Sequence, residues 1–505
     1  VLVNYYYIRL CRDEEFIVIS KALLTDLYQF TMMQGLFKEN LHRTPCVFDR
    51  FYRKNPFNGA YTVVAGLEHV IDYLKHLSFN EEDIAYLRKT GLFEDDFLEY
   101  LKEFRFTGTV YAAPEGSIVF PGEVLVRIEA PKDEAMLIET PLSMYLNHES
   151  LIATKARRIR SVAGNDSLAE FGMRRAQGTN AAVYGARASI IGGFNGTSNV
   201  YSAAQYGIKP VGTMAHSWIM SFPDELTAFR SYAAQYENML VLLVDTYDTL
   251  QQGVPNAIQV FKEVKERRGG TMPKGYGIRL DSGDLSYLSQ EAFQMLKDAG
   301  FEDATIFASN DLDEHRIADL KSQHSAITSW GVGTKLITAD GTSALGGVYK
   351  LAGQWNEDGQ FMPTMKFSDN IEKVTNPGCK KVLRLINRRN RKLIGDLICL
   401  IDETIDTTKP YTFENPMYPW KCTHLEANSF DVVDLLVPIF EKGELVYDLP
   451  SLPDIVSYAN EQIKLLWPEY LRLNRPPVVK VNISHKLHEL KQELLLQKVK
   501  RNHHE

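Results

Sequence analysis

The chain is predicted to fold as an α/β protein: an irregular (β/α) barrel joined to an α+β N-terminal domain that a returning C-terminal segment completes. Three observations predict this. Between Ser167 and Gly353, short apolar runs alternate with helix-like segments, and each run ends in a polar tip. Ahead of that stretch, residues 46–52 and brief runs between Phe106 and Ala130 read as strands, punctuated by Pro114-Glu115-Gly116 and Pro121-Gly122-Glu123 as an antiparallel meander. Beyond it, the Asn376-Pro377-Gly378 turn introduces another alternating strand that can return to the first region. An open doubly wound sheet is the competing arrangement, but no GxGxxG opens the first helix, and the strand count favours the barrel.

Bulk composition narrows the function classes. With 505 residues, 45% hydrophobic and 24% charged, the chain has the make-up of a globular protein of two or three domains. A net charge of -8 argues against a general nucleic-acid binder or a basic membrane-surface protein, so any anionic ligand must be held locally. Cys11, Cys46, Cys379, Cys399 and Cys422 show no CxxC spacing and suggest neither a disulfide framework nor a zinc site, which fits a reducing cytoplasm. No apolar run reaches the length of about 18 residues needed to span a membrane. Residues 1–21 lack a basic leader and a cleavage site and are set apart as an extension of uncertain role.

The elements then follow in order. Thr25 and Asp26 cap a helix with Leu27, Phe30 and Met33 at helical spacing and Tyr28 in its first turn. A helix after Asn80 carries Glu81, Glu82 and Asp83 in its first turn and stops at Gly91. Residues 133–162 form a long helical stretch that Pro141 should kink or divide. Its Lys155, Arg157, Arg158 and Arg160 suit either a solvated face or a phosphate-facing role. The domains expected are 22–148 (α+β), 149–358 (barrel), 359–425 (returning segment) and 426–505 (helical). Past the strand at 393–401 the remainder reads as helix and loop, ending in a charged helix whose His503 and His504 are expected to face solvent.

Chemistry is expected at the tips. Residues 209–222 read as a strand that delivers Thr213, His216 and Ser217. Asp245, Asp281, Asn310 and Thr334 each follow a strand, and in a barrel they should converge with His216 on the carboxyl face. Gly331-Val332-Gly333-Thr334 is a candidate phosphate cradle, since glycines admit close approach to backbone N–H groups. Arg279 and Asp281 share a face, either as an internal ion pair or with Arg279 gripping a substrate carboxylate and Asp281 binding sugar hydroxyls or a metal. His216 has no paired metal-ligand spacing, so a general base or a phosphoryl-accepting nucleophile suits it better than a metal ligand. No Walker sequence is present.

Taken together, these motifs closely resemble those of the nicotinate phosphoribosyltransferase family. The resemblance runs from about Leu23 to the C-terminal helix and rests on Leu24-Thr25-Asp26-Leu27-Tyr28-Gln29, Arg174-Arg175-Ala176-Gln177-Gly178, Gly212-Thr213-Met214-Ala215-His216-Ser217, Arg279-Leu280-Asp281-Ser282-Gly283-Asp284-Leu285, Gly331-Val332-Gly333-Thr334 and Leu345-Gly346-Gly347-Val348-Tyr349-Lys350. It implies a type II phosphoribosyltransferase-like barrel. It implies ATP-coupled transfer of phosphoribosyl from 5-phosphoribosyl 1-diphosphate to nicotinate in NAD biosynthesis, with Mg²⁺ or Mn²⁺, in a homodimer with a shared site. By the same resemblance His216 is phosphorylated by ATP, Tyr28, Thr213 and Arg279 contact nicotinate, and Thr334 contacts the phosphoribosyl group. Asp281 is expected near the ribose as a catalytic carboxylate, and Gly331 and Gly333 at its phosphate. The rival readings are a nicotinamide-specific relative, a non-catalytic binding protein on the same scaffold, and a barrel isomerase or aldolase using Lys335 as base.

Overall fold

The computed structural model describes residues 7–8, 17–368, 370 and 373–502. His503 and His504 lie outside the described residues, as does most of the N-terminal extension, of which Tyr7–Ile8 pairs with Ile17–Val18. Two compact units divide the chain: Val1–Ser150 with Ala344–Glu505, and Leu151–Ser343. The return to the first unit therefore begins at Ala344, not at residue 359, because Gly347–Trp355 pairs along Pro45–Tyr52 and belongs to its sheet. The long helical stretch is two helices, Lys132–Leu137 and Glu139–Ala163. Pro141 stands in the first turn of the second, where its missing N–H has no intrahelical partner to lose.

In the first unit a seven-stranded sheet has Pro45–Tyr52 at its centre, hydrogen-bonded to Gly347–Trp355 on one side and Val126–Pro131 on the other. Its alternating apolar residues are buried, and Phe48 stacks on Tyr349 at 4.8 Å. Asn80 caps Glu81–Lys89 in a reciprocal box with Asp83. Two expectations fail here. Ile118–Val119 leaves the expected meander to pair with Thr62–Val63. The C-terminal part is not only helix and loop: Tyr411–Asn415, Tyr418–Leu425, Phe430–Asp434, Val437–Glu441 and Val481–Ile483 are strands. Tyr418–Leu425 is exposed over most of its length, so no buried face imposes the apolar alternation by which a strand is recognised.

A second sheet of this unit, ordered Phe430–Asp434, Lys380–Asn387, Leu393–Leu400, Val481–Ile483, buries an Arg384–Asp396 ion pair at 2.6 Å. Arg384 also donates to Gln462 and to the carbonyl of Ile118, and its guanidinium lies 5.5 Å from the Phe120 ring centroid.

The second unit is a six-stranded parallel sheet with helices between its strands. Its spatial order is Val241–Leu243, Gly277–Leu280, Thr305–Ala308, Ser329–Val332, Ser167–Glu170, Gly196–Thr197. Register aligns Leu243, Arg279, Phe307 and Ser329, so these side chains share a face, and Asp245, Asp281, Ser309 and Gly331 follow two residues on, toward the carboxyl ends.

Beyond Thr197 the sheet gains a single parallel bridge to Pro210, and the expected strand over 209–222 does not form. Pro210 has no N–H to continue a ladder, and the carbonyl of Met214 faces Arg279 Nη1 at 3.4 Å instead of a neighbouring strand. His216 opens the short helix His216–Met220. Its Nδ1 nonetheless lies 3.1 Å from Thr246 Oγ1, just beyond the opposite edge strand, so the sheet curls until its two edges approach at the carboxyl end. Among the described residues no ladder closes it into the expected barrel.

Candidate active site

The site is built on Arg279, which reaches from Gly277–Leu280 and is only 16% exposed. Its Nε donates to Ser309 Oγ at 2.9 Å, Nη1 to Thr213 Oγ1 at 2.8 Å, and Nη2 to Asp281 Oδ1 at 2.8 Å. One planar cation thus ties together two neighbouring strands and the loop before His216, a role that a flexible ammonium cannot fill. Asp281 also accepts from Ser309 Oγ, and its Oδ2 lies 3.8 Å from His216 Nε2. Asp245 supports the group from below: its Oδ2 accepts the Asp281 N–H at 2.8 Å and the Ser282 hydroxyl at 2.7 Å.

His216 is not sealed in apolar surroundings. Its side chain is 39% exposed, with one ring nitrogen on Thr246 and the other toward Asp281. An Nδ1–H donated to the Thr246 hydroxyl leaves a lone pair on Nε2. Glycine has a steric role at the back of Asp245, where a Cβ on Gly253 would come within 1.9 Å of the Val244 carbonyl oxygen.

Several expected residues take other positions. Asn310, with φ of 89°, contributes no hydrogen bond to the cluster, and Ser309 before it does. Asp284 caps Leu285–Asp298, accepting from the N–H groups of Ser286 and Tyr287. Gly331 lies within Ser329–Val332 and is buried, while Gly333 and Thr334 follow the strand, with Thr334 exposed at the start of Thr334–Ile337. Lys335 bonds Asp313 at 3.1 Å, and that hydrogen bond pushes its pKa up, so it stays protonated and is ill suited to act as a base. Lys155 and Arg158 are buried against Glu314 at 2.8 and 2.9 Å, which makes them part of the frame instead of a phosphate surface. Tyr28 lies on Leu27–Lys38 in the other unit, 47% exposed.

Packing brings in residues that strand-tip reasoning missed. Phe171 and Phe307 stack at 5.6 Å on the same face as Arg279, whose guanidinium carbon is 5.8 Å from the Phe171 centroid. Their meeting requires Gly331, where a Cβ would approach both rings to 2.8 Å. Gly331→Ala is therefore expected to push the rings apart at a cost of about 1–3 kcal/mol, read as a lower denaturation midpoint together with a raised KM for the acceptor base. Glu170, fully buried, accepts from Thr197 Oγ1 at 2.5 Å and from the Gly172 N–H, fixing the turn that carries Phe171; burial pushes its pKa up. Phe171 directly follows a strand, and that was the one available signal for it.

Among the described residues no group of three or more His, Cys, Asp or Glu is arranged to hold a metal ion. Asp245 Oδ1, however, is buried with no protein partner beside the Asp281 carboxylate. Magnesium commonly takes one or two carboxylates and completes its shell from water and substrate phosphates, so these two residues fit it.

A curled parallel sheet carrying an arginine–carboxylate–imidazole cluster at its carboxyl end defines an α/β enzyme of the transferase class. Family models match across the chain: the nicotinate phosphoribosyltransferase N-terminal domain over residues 23–147, the family model itself over 167–352, and the C-terminal domain over 379–491. The nicotinate phosphoribosyltransferase of Bacillus subtilis is 45% identical, over 92% of this chain and 93% of its own. That of Dictyostelium discoideum is 37% identical, over 94% and 88%. The crystal structure of human nicotinic acid phosphoribosyltransferase superposes with a TM-score of 0.80 at 29% identity, covering 94% of this chain and all of the other. The chain belongs to the nicotinate phosphoribosyltransferase family.

Proposed function

We propose that this enzyme transfers phosphoribosyl from 5-phosphoribosyl 1-diphosphate to nicotinate, forming nicotinate mononucleotide and diphosphate in NAD biosynthesis, on the cluster around Arg279. The family membership supports the reaction. The observation that carries the assignment to these residues is the Arg279 guanidinium, buried at the carboxyl end between Thr213, Ser309 and Asp281. It is the group suited to an aromatic carboxylate. Its remaining Nη2 hydrogen and the Thr213 hydroxyl hold the nicotinate carboxylate, and the Phe171 ring supports the pyridine. A nicotinamide reader would want a free carboxylate for the amide N–H groups, whereas the Asp281 carboxylate is taken up by Arg279 and Ser309.

The bond from ribose C1 to diphosphate breaks, positive charge develops on the sugar, and the pyridine nitrogen forms the new bond to C1. Asp281 stabilises that charge from beside the ribose, and Gly333 and Thr334 serve the 5-phosphate. Asp245 and Asp281 would hold Mg²⁺ or Mn²⁺, which when bound supplies charge neutralisation to the leaving diphosphate.

His216 serves ATP. Its Nε2 attacks the γ-phosphorus as ADP leaves, and hydrolysis of the phosphohistidine afterwards resets the loop. The curl of the sheet is read as one wall of an irregular barrel, supported by the contact between His216 and Thr246. A homodimer in the cytoplasm, with Tyr28 offered to the partner's site, fits the exposed Leu24, Leu27, Tyr28 and Met32 on and beside the first helix.

The test is diphosphate release from nicotinate and 5-phosphoribosyl 1-diphosphate, with and without ATP. The wild type is expected to be stimulated by ATP. His216→Ala should keep slow transfer while losing the stimulation, and full ATP-dependent turnover in that variant would remove His216 from the ATP step.

A further inference from the structure

The first unit holds a cavity of about 400 Å³ whose lining includes none of the residues of the Arg279 cluster. Four cationic side chains face it, Arg53, Lys54, Lys380 and Lys491, against a single carboxylate, Asp49. That carboxylate is already committed, since Asp49 Oδ2 lies 2.7 Å from Lys380 Nζ and both side chains are buried. The three other positive charges have no acidic counterpart in the lining. Lys491 reaches in from the C-terminal helix His485–Asn502 and donates to the Asn376 side-chain carbonyl at 2.9 Å, a neutral acceptor. Burial and the neighbouring Lys380 both push its pKa down, which marks a place where positive charge is crowded and poorly hydrated. An anion would relieve that crowding.

The rest of the lining is apolar. Val124, Val481 and Ile483 supply one side, and Met417, at the turn between Tyr411–Asn415 and Tyr418–Leu425, stands half exposed at the rim. A thioether on an exposed turn adapts readily to a flat ring. The volume lies within the range of about 300–1,000 Å³ usual for small-molecule sites.

We propose that this cavity binds a nucleotide-sized phosphomonoester, with its phosphate on Lys491, Lys54 and Arg53 and its ring system against Met417 and Ile483. No role in the transfer reaction is assigned to these residues, so this is a second ligand site on the enzyme. An occupant there would tie the C-terminal helix to Phe51, Arg53 and Lys54 just past the central strand of the first unit, and thereby stabilise the fold by mass action.

The experiment uses the full chain with ¹³C-methyl methionine, the Met417 resonance being assigned by Met417→Leu, and AMP as the probe. Binding is expected as a saturable shift of the Met417 methyl that persists in Arg279→Ala. Lys491→Gln, and separately the exposed Lys54→Gln, should each weaken it by about tenfold, as expected for loss of one charge-assisted hydrogen bond. Both lysine variants should retain wild-type phosphoribosyl transfer without AMP, which also shows that they fold. Inorganic phosphate should bind more weakly than AMP. The proposal is overturned if Met417 does not respond to millimolar AMP, if the shift survives both lysine substitutions, if Arg279→Ala abolishes it, or if phosphate alone binds as tightly as AMP.

Discussion

Arg279→Lys is expected to lower kcat/KM for nicotinate by roughly 30- to several-thousand-fold, the span of about 2–5 kcal/mol that follows from truncating one partner of a buried, hydrogen-bonded charge pair. A lysine keeps the charge but cannot reach Ser309, Thr213 and Asp281 at once, as the guanidinium does through Nε, Nη1 and Nη2. The loss should therefore have two parts. One is the missing grip on the substrate carboxylate, which appears in KM. The other is misplacement of Asp281, which accepts from Arg279 and lies 3.8 Å from His216, and which appears in kcat and in weaker stimulation by ATP. Initial rates across nicotinate concentrations, with and without ATP, separate the two. An Arg279→Lys enzyme with unchanged KM and kcat would mean that the guanidinium only braces the sheet.

The second large effect is on stability. Arg384→Met removes a guanidinium that holds Asp396 at 2.6 Å and also bonds Gln462 and Ile118. It leaves Asp396 buried and charged beside Glu123, whose own pKa burial and Asp396 already push up. Breaking a buried pair from one side costs about 3–5 kcal/mol, whereas replacing both partners by apolar residues is often neutral. For a domain of this size that loss corresponds to a fall of roughly 6–20 °C in thermal midpoint. Arg384→Met combined with Asp396→Leu should recover most of it. A double variant no more stable than the single one would show that the surrounding network, not the pair, carries the stability.

Local signals in the chain foretold the elements that obey local rules. The Asn80 cap, the division of the long helix near Pro141, and the strands ending before Asp281 and Ser309 all appear as expected. The period-two register of parallel strands also brings Asp245 and Asp281 to one face. What escaped were features that depend on neighbours distant in sequence. The carbonyl of Met214 faces a guanidinium, so the apolar run after Pro210 has no ladder to join. Phe171 matters only because Gly331 leaves room for it to meet Phe307. Asp284 resembled a catalytic carboxylate in its motif, yet at a helix start its preferred partners are backbone N–H groups. The exposed hairpin around Met417 carried no alternation to read.

The most direct measurement is diphosphate release with nicotinate and with nicotinamide as competing acceptors for the wild-type enzyme. A cationic fork whose companion carboxylate is already occupied predicts that nicotinate is preferred by about 100-fold or more in kcat/KM, consistent with losses of roughly 3 kcal/mol when a charge-assisted contact goes unmade. Equal use of the two bases, or a preference for the amide, would contradict the assignment of Arg279 as the carboxylate's partner.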